Sequence, residues 1–317
     1  MKRTIIPYCI CPACLPTEHP LALHADREED GDVITGALSC RKCRRRFPIR
    51  DGIAVLLPDP DTAPAGGQWR YEESAMVSSY LWSHYGDLLG DPEAGEASAA
   101  WAACLAPRAE TAFDAGCAVG RLTFEMAARG ALAVGCDLSL AFMRTARQLA
   151  RDRRFSVSLP REGNLRDTFE LRLPEAWPTD AVEFVVADAL RIPFARESFD
   201  QVASLNLVDR VRHPLAHLYE MNRVARRSSA AFLFSDPFSW STANTPEEAW
   251  LGGTEQGDHP GRGIDNVRAI LAGKGGIIQP PWDIVRQGEV WWKIRSHRNH
   301  FELIRSELLV AARGDLP

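Results

Sequence analysis

Apolar positions along the chain follow two rhythms. In the middle of the chain, short apolar runs end in polar or acidic residues: Ala112–Asp114, Leu132–Asp137, Val182–Leu190 with Asp188 inside it, Phe199–Asn206 and Ala230–Asp236. Continuous runs of this length, separated by longer amphipathic stretches, predict buried strands alternating with helices, an α/β fold. Helical spacing marks the stretch Gln68–Leu89, where Val77, Tyr80, Leu81, His84 and Tyr85 share one aromatic face. That face reads either as a core-packing stripe or as a lid over a ligand pocket. Glu93–Pro107 predicts a further helix with Trp101 inside it. Near the N-terminus, Ile49, Ile53, Val55 and Leu57 alternate as strand positions. Towards the C-terminus a last hairpin carries Trp291, Trp292, Arg295, Arg298, His300 and Phe301, and alternation sends the two tryptophans to opposite faces.

The stretch Thr111–Arg121 is where the first strand becomes a helix. The strand ends at Asp114, glycines stand at 116 and 120, and a helical pattern begins at Leu122. Strand, glycine turn and helix form a nucleotide-type site at the carboxyl end of a strand. A Cβ at Gly116 or Gly120 would collide with a ligand approaching the backbone. The turn is G-x-x-x-G, not the G-x-G-x-x-G that cradles a pyrophosphate. An acid two residues upstream repels a pyrophosphate and attracts a sulfonium or an ammonium, so the spacing favours S-adenosylmethionine (SAM) over NAD. Asp137 ends the second strand 21 residues beyond Gly116 (137 − 116), where an acid accepts from both ribose hydroxyls. Asp188 is placed to accept from the adenine amine. The cofactor-binding set expected is Asp114, Gly116, Cys117, Ala118, Gly120, Arg121, Asp137, Leu138, Asp188, Ala189 and Asn206.

Composition changes little in this picture. The 317 residues are 45% hydrophobic and 25% charged with a net charge of −5, an ordinary globular balance that argues against nucleic-acid binding through the overall field. The opening residues lack the apolar core of a signal peptide, and no run is long enough to span a bilayer, so a cytoplasmic protein is expected. Nothing in the sequence fixes the oligomeric state.

The eight cysteines alter the domain reading. Cys11-Pro-Ala-Cys14 and Cys40-Arg-Lys-Cys43 are two C-x-x-C knuckles, whose four thiolates close a tetrahedral structural Zn²⁺ site. The 25 residues between them (40 − 14 − 1) form an acidic stretch, read as a hairpin with its tip around Asp26–Asp32. Cys9 is read as a semi-buried thiol, and His19 and His24 are the alternative ligands. Arg41, Lys42, Arg44, Arg45 and Arg46 make a basic cluster, read as a solvated turn or as a grip on RNA phosphate. The proline- and glycine-rich stretch from Asp59 to Gly67 reads as a linker. The expected division is a zinc ribbon at 1–60, a linker at 61–67 and a catalytic domain at 68–317.

The second knuckle and the following Arg-Phe-Pro-Ile-Arg-Asp-Gly-Ile-Ala-Val-Leu-Leu-Pro58 resemble the small zinc-ribbon domain that activates tRNA and protein methyltransferases and is fused to some of them. The glycine turn and three acid-ended strands resemble class I SAM-dependent methyltransferases from about 68 to 313. That resemblance implies a Rossmann-like fold with a seven-stranded, mostly parallel sheet. Further pieces narrow it: Ser79-Tyr-Leu-Trp-Ser-His-Tyr-Gly86, Gly116-Cys-Ala-Val-Gly-Arg121, Arg161-Glu-Gly-Asn-Leu165, Asn206-Leu-Val-Asp-Arg210, Ser235-Asp-Pro-Phe-Ser-Trp240 and Thr245-Pro-Glu-Glu-Ala-Trp-Leu-Gly-Gly253. In this order they resemble the methyltransferase domain of ovothiol biosynthesis, which methylates a ring nitrogen of thiohistidine. The fused ovothiol enzyme carries a sulfur-inserting domain before its methyltransferase domain, and in this sequence a zinc ribbon stands in that place.

The acceptor side is expected in the loops after the fourth and fifth strands and in the last hairpin. Tyr80, Tyr85, Asp209, Arg210, Trp240, Trp250, Trp292, Arg295 and Arg298 are the candidate substrate contacts. A substrate carboxylate suits the fork of Arg295 or Arg298, and Asp209 suits an ammonium unless it pairs with Arg210 or Arg212. The glycines around Trp250 suggest a mobile cover. Methyl transfer needs alignment more than a strong base, so His213, His84 or Asp209 would serve as a weak base or orienting group. The expected activity is methylation of a small thiol- or imidazole-containing molecule. The rivals are an RNA methyltransferase gripping its substrate with the ribbon, and a non-catalytic SAM-binding scaffold.

Overall fold

The structure, a computed structural model, describes residues 1–59 and 66–314. The expected linker at 61–67 thus lies outside the described residues up to residue 65. In the N-terminal part, β1 (Leu21–Glu29), β2 (Asp32–Cys40), β3 (Arg46–Arg50) and β4 (Ile53–Leu56) form an antiparallel meander. The first hairpin turns at Asp30-Gly31, both at positive φ, inside the expected acidic tip. Next come α1 (Ser74–Tyr85), α2 (Ala97–Ala102), β5 (Thr111–Ala115), α3 (Arg121–Ala127), β6 (Leu132–Asp137) and α4 (Leu140–Asp152). A separate hairpin, β7 (Arg154–Glu162) and β8 (Leu165–Arg172), precedes β9 (Val182–Ala187), β10 (Gln201–Leu205) and α5 (Pro214–Val224). The chain closes with β11 (Ala230–Asp236), α6 (Gly263–Leu271) and the long hairpin β12 (Asp283–His297) and β13 (His300–Arg313).

One sheet runs through both parts of the chain in the order β1-β2-β3-β4-β9-β6-β5-β10-β11-β13-β12. The expected seven strands are corrected to eleven, and a mostly parallel sheet to a mixed one. Seven of the strands, β9-β6-β5-β10-β11-β13-β12, make the Rossmann-like sheet with an antiparallel β13. The other four arrive because β4 pairs in parallel with β9, Val55 opposite Val186 and Leu56 opposite Ala187. Without β4, β9 would present an open edge of unpaired backbone groups. The join is also apolar. Leu38, Phe47, Ile49 and Leu56 are buried in one cluster with Val185, Ile192, Phe194 and Phe199.

The order of strands decides where ligands can go. The carboxyl ends of β4, β9, β6, β5, β10 and β11 all lie at one edge of the sheet. Antiparallel pairing brings the start of β3 and the end of β2 to that same edge, so the knuckle Cys40–Cys43 sits there as well. Ligands of open α/β sheets bind at this edge.

Several elements are shorter than the pattern suggests. The helix expected over Gln68–Leu89 is a 3₁₀ turn, Gly66–Glu72, followed by α1, and the helix of Glu93–Pro107 shrinks to α2 because Pro92 and Gly95 interrupt its start. The β7–β8 hairpin was not expected. Its signal was present: Phe155, Val157 and Leu159 alternate, as do Phe169 and Leu171, around a turn with Gly163 at positive φ. Among the described residues, no helix is long and apolar enough to cross a membrane.

Candidate active site

The turn after β5 is held from beneath. Gly116 and Cys117 both donate backbone N–H groups to the carbonyl of Cys136, each at 2.9 Å. Gly116 (φ 71°) and Ala118 (φ 47°) are left-handed, which a glycine adopts without strain at 116. A Cβ at Gly120 (φ 85°) would come within 2.7 Å of the Phe184 ring on β9, so this glycine also lets the turn pack on the sheet. Asp137 reaches across from β6. Its carboxylate accepts from Ala118 N–H (3.2 Å) and Ser139 N–H (2.9 Å). Asp114 accepts from the Thr123 hydroxyl at 2.8 Å.

Above this turn lies a cavity of about 460 Å³, the size of a small-molecule site. Asp114, Gly116, Cys117, Ala118, Asp137 and Asn206 form its floor. Its roof comes from α1, through Tyr80 and His84, and from the long hairpin, through Trp292, Ile294 and Ile304. Leu138 follows β6, and Asp188 and Ala189 follow β9; these three stand at the strand ends without lining the cavity. One Asp188 oxygen accepts from Leu190 N–H at 2.8 Å. Burial raises the Asp188 carboxyl above its ordinary pKa.

The donor set suits a cationic ligand. Burial pushes the Asp114 carboxyl up to about 7, with the Asp137 charge adding to it, and burial pushes Asp137 to about 6. Two carboxyls whose pKa values burial raises towards neutrality gain from a ligand that brings positive charge to the cavity. SAM, with a sulfonium and an ammonium, fits that set, and Asp137 would face its ribose. A pH dependence follows. SAM affinity should rise more than about tenfold from pH 5.5 to 7.5, as Asp114 loses the proton that competes with the ligand. Calorimetry in two buffers should show proton release, and Asp114→Asn should flatten the profile; an affinity independent of pH across this range would refute the electrostatic role. The linkage to stability has the opposite sign. The folded pKa exceeds the ordinary 3.8, so the stability due to protonated Asp114 is complete below about pH 4 and is lost as pH rises towards 7.

Other expected site residues have structural partners instead. Arg121 borders the cavity, but its guanidinium is bidentate to Asp87 (2.7 and 3.0 Å) and also bonds Glu125 and the His84 carbonyl. Tyr85 is fully buried and donates to the Val119 carbonyl at 2.9 Å, away from the cavity. Arg295 is 3% exposed, between Asp91 (3.3 Å) and Asp167 (3.5 Å), so it ties β12 to the α1–α2 connection and to β8 rather than offering a substrate fork. Arg298 is exposed in the turn of the last hairpin. Asp209 is fully buried, accepts from Ser239 N–H at 2.9 Å and pairs with Arg210 Nε at 3.2 Å, the alternative raised for it above. His213 caps α5 at the surface, because Pro214 starts the helix and turns it outward. One turn later, His217 is buried between the Ser204 hydroxyl (2.8 Å) and the Ala189 carbonyl (3.1 Å). Trp240 and Trp250 stack on each other at 6.0 Å, and the segment around them packs through Leu251 and α6 into the core rather than forming a loose cover.

Among the substrate candidates, the cavity gathers Tyr80, Arg210 and Trp292, with His84 beside them. His84 is neutral at pH 7, since burial and the Arg121 charge lower it to about 4. Sequence reasoning missed Arg70, Tyr71, Phe142 and Glu302, which also line the cavity. Tyr71, Tyr80 and Phe142 form an aromatic wall with ring centroids 4.9–6.0 Å apart. The helical phase of Phe142 in α4 offered a signal for it. For Arg70 and Glu302 there was none.

At the same sheet edge, the Sγ atoms of Cys11, Cys14, Cys40 and Cys43 all lie within 4.8 Å of one another. The pairs Cys11–Cys43 (3.6 Å) and Cys14–Cys40 (3.9 Å) bracket the roughly 3.8 Å edge of a tetrahedron with Zn–S bonds of about 2.3 Å. The four thiolates fit a closed structural zinc. Cys9 is a buried thiol outside the group, and His24 hydrogen-bonds the Ser39 hydroxyl at 2.9 Å.

Residues 113–233 match the family described as a methyltransferase domain, and residues 10–52 match the family of Trm112p-like proteins. No curated protein matches the chain. Among solved structures, a complex of the Haloferax volcanii Trm112 methyltransferase activator with a methyltransferase is 16% identical, covering 75% of this chain and 98% of that one at a TM-score of 0.42. The magnesium protoporphyrin IX methyltransferase of Synechocystis PCC 6803 with bound S-adenosylhomocysteine is 16% identical, with coverages of 80% and 90% and a TM-score of 0.39. A methyltransferase of Bacillus halodurans is 14% identical, with coverages of 70% and 100% and a TM-score of 0.43. Likeness at this level bears on neither substrate nor mechanism. The matched domain, together with the cradle and its paired acids, makes this chain a SAM-dependent methyltransferase. More particularly, it is one with a Trm112-like zinc-binding domain at its N-terminal end.

Proposed function

We propose that the enzyme methylates a small amino acid bearing a thiol or an imidazole, with a ring nitrogen of 5-thiohistidine as the acceptor. The observation that carries this reading is the roofed cavity. Beyond its acidic floor, about 460 Å³ must hold both the cofactor and the acceptor, under α1 and the long hairpin. In this reading Asp114, Gly116, Cys117, Ala118, Asp137 and Asn206 in the cavity floor hold SAM, with Gly120 in the same turn and Leu138, Asp188 and Ala189 at the strand ends beside it, and Tyr80, Arg210 and Trp292 face the acceptor. The ribbon at 1–60 and the catalytic domain at 68–317 remain the proposed division.

When bound, SAM supplies a methyl carbon made electrophilic by positive sulfur. The chain's own residues align the acceptor and exclude water from it. A neutral imidazole nitrogen is already nucleophilic at pH 7 and loses its surplus proton after transfer, so no strong base is needed. Neutral His84, at about 4, suits an orienting role and not proton abstraction.

A second reading has one observation in its favour. The exposed cluster Arg41, Lys42, Arg44, Arg45 and Arg46 lies at the same sheet edge as the cavity, where it could grip an RNA. Incubation of the purified protein with methyl-labelled SAM against 5-thiohistidine, other small thiols and bulk RNA separates the two. Label in 5-thiohistidine is expected; label in RNA alone would sink the small-molecule reading.

A further inference from the structure

An amino-acid acceptor carries two opposite charges that a cavity has to meet. The residues expected to do so, Arg295, Arg298 and Asp209, are engaged elsewhere or lie at the surface. Two other side chains in the cavity wall have the required charges. Arg210, just beyond β10, has its Nε 3.2 Å from Asp209 Oδ1, an ion pair without hydrogen-bond geometry, and Asp209 is itself pinned by Ser239 N–H. Its terminal nitrogens make no hydrogen bond or ion pair among the described residues. A guanidinium whose ion pair engages only Nε leaves its end-on pair of N–H groups for a planar anion. Glu302 enters the wall from β13, opposite Ile294 of β12. Its carboxylate makes no hydrogen bond or ion pair among the described residues either, and Arg70 lies near enough to feel its charge.

We propose that Arg210 and Glu302 are the two arms of a clamp for a free α-amino acid, Arg210 taking the carboxylate and Glu302 the ammonium. This rests on the small-molecule reading above and names its substrate class. Asp209 then acts as a positioning residue, keeping the Arg210 guanidinium at the cavity wall by its charge. Decarboxylated amines and deaminated acids would each lack one charge, and peptide residues one or both, so each forgoes an ion pair that the free amino acid makes.

Calorimetry on the S-adenosylhomocysteine-bound enzyme tests the clamp with 5-thiohistidine, its decarboxylated amine and its deaminated acid as probes. Arg210→Gln should weaken 5-thiohistidine about 10- to 100-fold and leave the decarboxylated amine unchanged. Glu302→Gln should weaken 5-thiohistidine similarly and leave the deaminated acid unchanged. Unaltered S-adenosylhomocysteine affinity in both variants shows an intact fold. The clamp is overturned if intact and truncated probes bind the wild type alike, or if each variant weakens all three equally. If 5-thiohistidine does not bind the wild type, the same measurements are made with the proteinogenic amino acids. Binding of any of them that depends on both arms keeps the clamp and rejects thiohistidine as substrate, whereas binding of none overturns the clamp.

Discussion

Replacing Cys40 with serine should remove the zinc and unfold the N-terminal module. Cys40 is 1% exposed, ends β2, and belongs to the four-sulfur cluster. Its backbone also closes the knuckle, donating to the Arg45 carbonyl and accepting from Arg44 N–H, both at 2.9 Å. Structural zinc sites contribute on the order of 10–16 kcal/mol of apparent binding energy, which is also folding energy. A serine hydroxyl is a poor ligand at neutral pH, so most of that is lost. The damage should not stop at the ribbon, because β4 covers the edge of β9 and Leu38, Phe47, Ile49 and Leu56 share a core with Phe194 and Phe199. Native mass spectrometry should find one zinc in the wild type and none in the variant. Limited proteolysis should cut the variant within residues 1–59 first, and its thermal midpoint should fall by more than about 10 °C, the shift that several kcal/mol produce in a chain of this size. A metal-free wild type of full stability would refute the structural zinc.

What could be read from the sequence divides along the range of the interactions. The cradle was legible because its parts are local. Asp114, Gly116 and Asp137 each declare themselves within a few residues of a strand end, and the zinc knuckles do the same through their spacing. The count of strands was not legible. It depends on β4 meeting β9, a pairing between residues about 130 positions apart that no local pattern encodes. Gly120 shows a long-range demand even inside the motif, since a Cβ there would also meet the Phe184 ring on β9.

The acceptor side was harder for a further reason. Residue type suggested Arg295, Trp240 and Tyr85, but a buried arginine or aromatic finds a partner inside the protein if one is available. Arg295 found Asp91 and Asp167, Trp240 found Trp250, and Tyr85 found the Val119 carbonyl. His213 and His217 differ by four residues, yet one is at the surface and the other buried against β10, because Pro214 fixes where α5 begins. The residues that do face the cavity, Arg70 and Glu302 among them, come from segments more than 200 positions apart.

Asp137→Ala should weaken SAM binding by about 10²- to 10⁴-fold, the largest effect expected from a single change in the cradle. The carboxylate is proposed to accept from the ribose hydroxyls, and two charge-assisted hydrogen bonds at about 1.5–3 kcal/mol each give that range. The same side chain also holds Ala118 N–H and Ser139 N–H, so its loss loosens the turn it serves. Ser139 in turn caps α4, accepting from Phe142 N–H at 3.1 Å, and donates to the Tyr71 carbonyl at 3.0 Å. Glu72 accepts from the first two N–H groups of α4, those of Leu140 and Ala141, at 2.9 and 3.0 Å. The entrance segment is thus bolted to the helix that begins beside Asp137, and a ligand at Asp137 would stiffen both. Asp137→Asn separates the two effects: it keeps the shape and one acceptor but loses the charge. Calorimetry should rank the affinities wild type, then Asn, then Ala, while denaturant titration of the ligand-free proteins should show a cost of only about 1–3 kcal/mol for the alanine, the penalty of its unpaired N–H groups. Affinity within threefold of wild type in the alanine variant would remove Asp137 from the cofactor site and leave it as a loop brace.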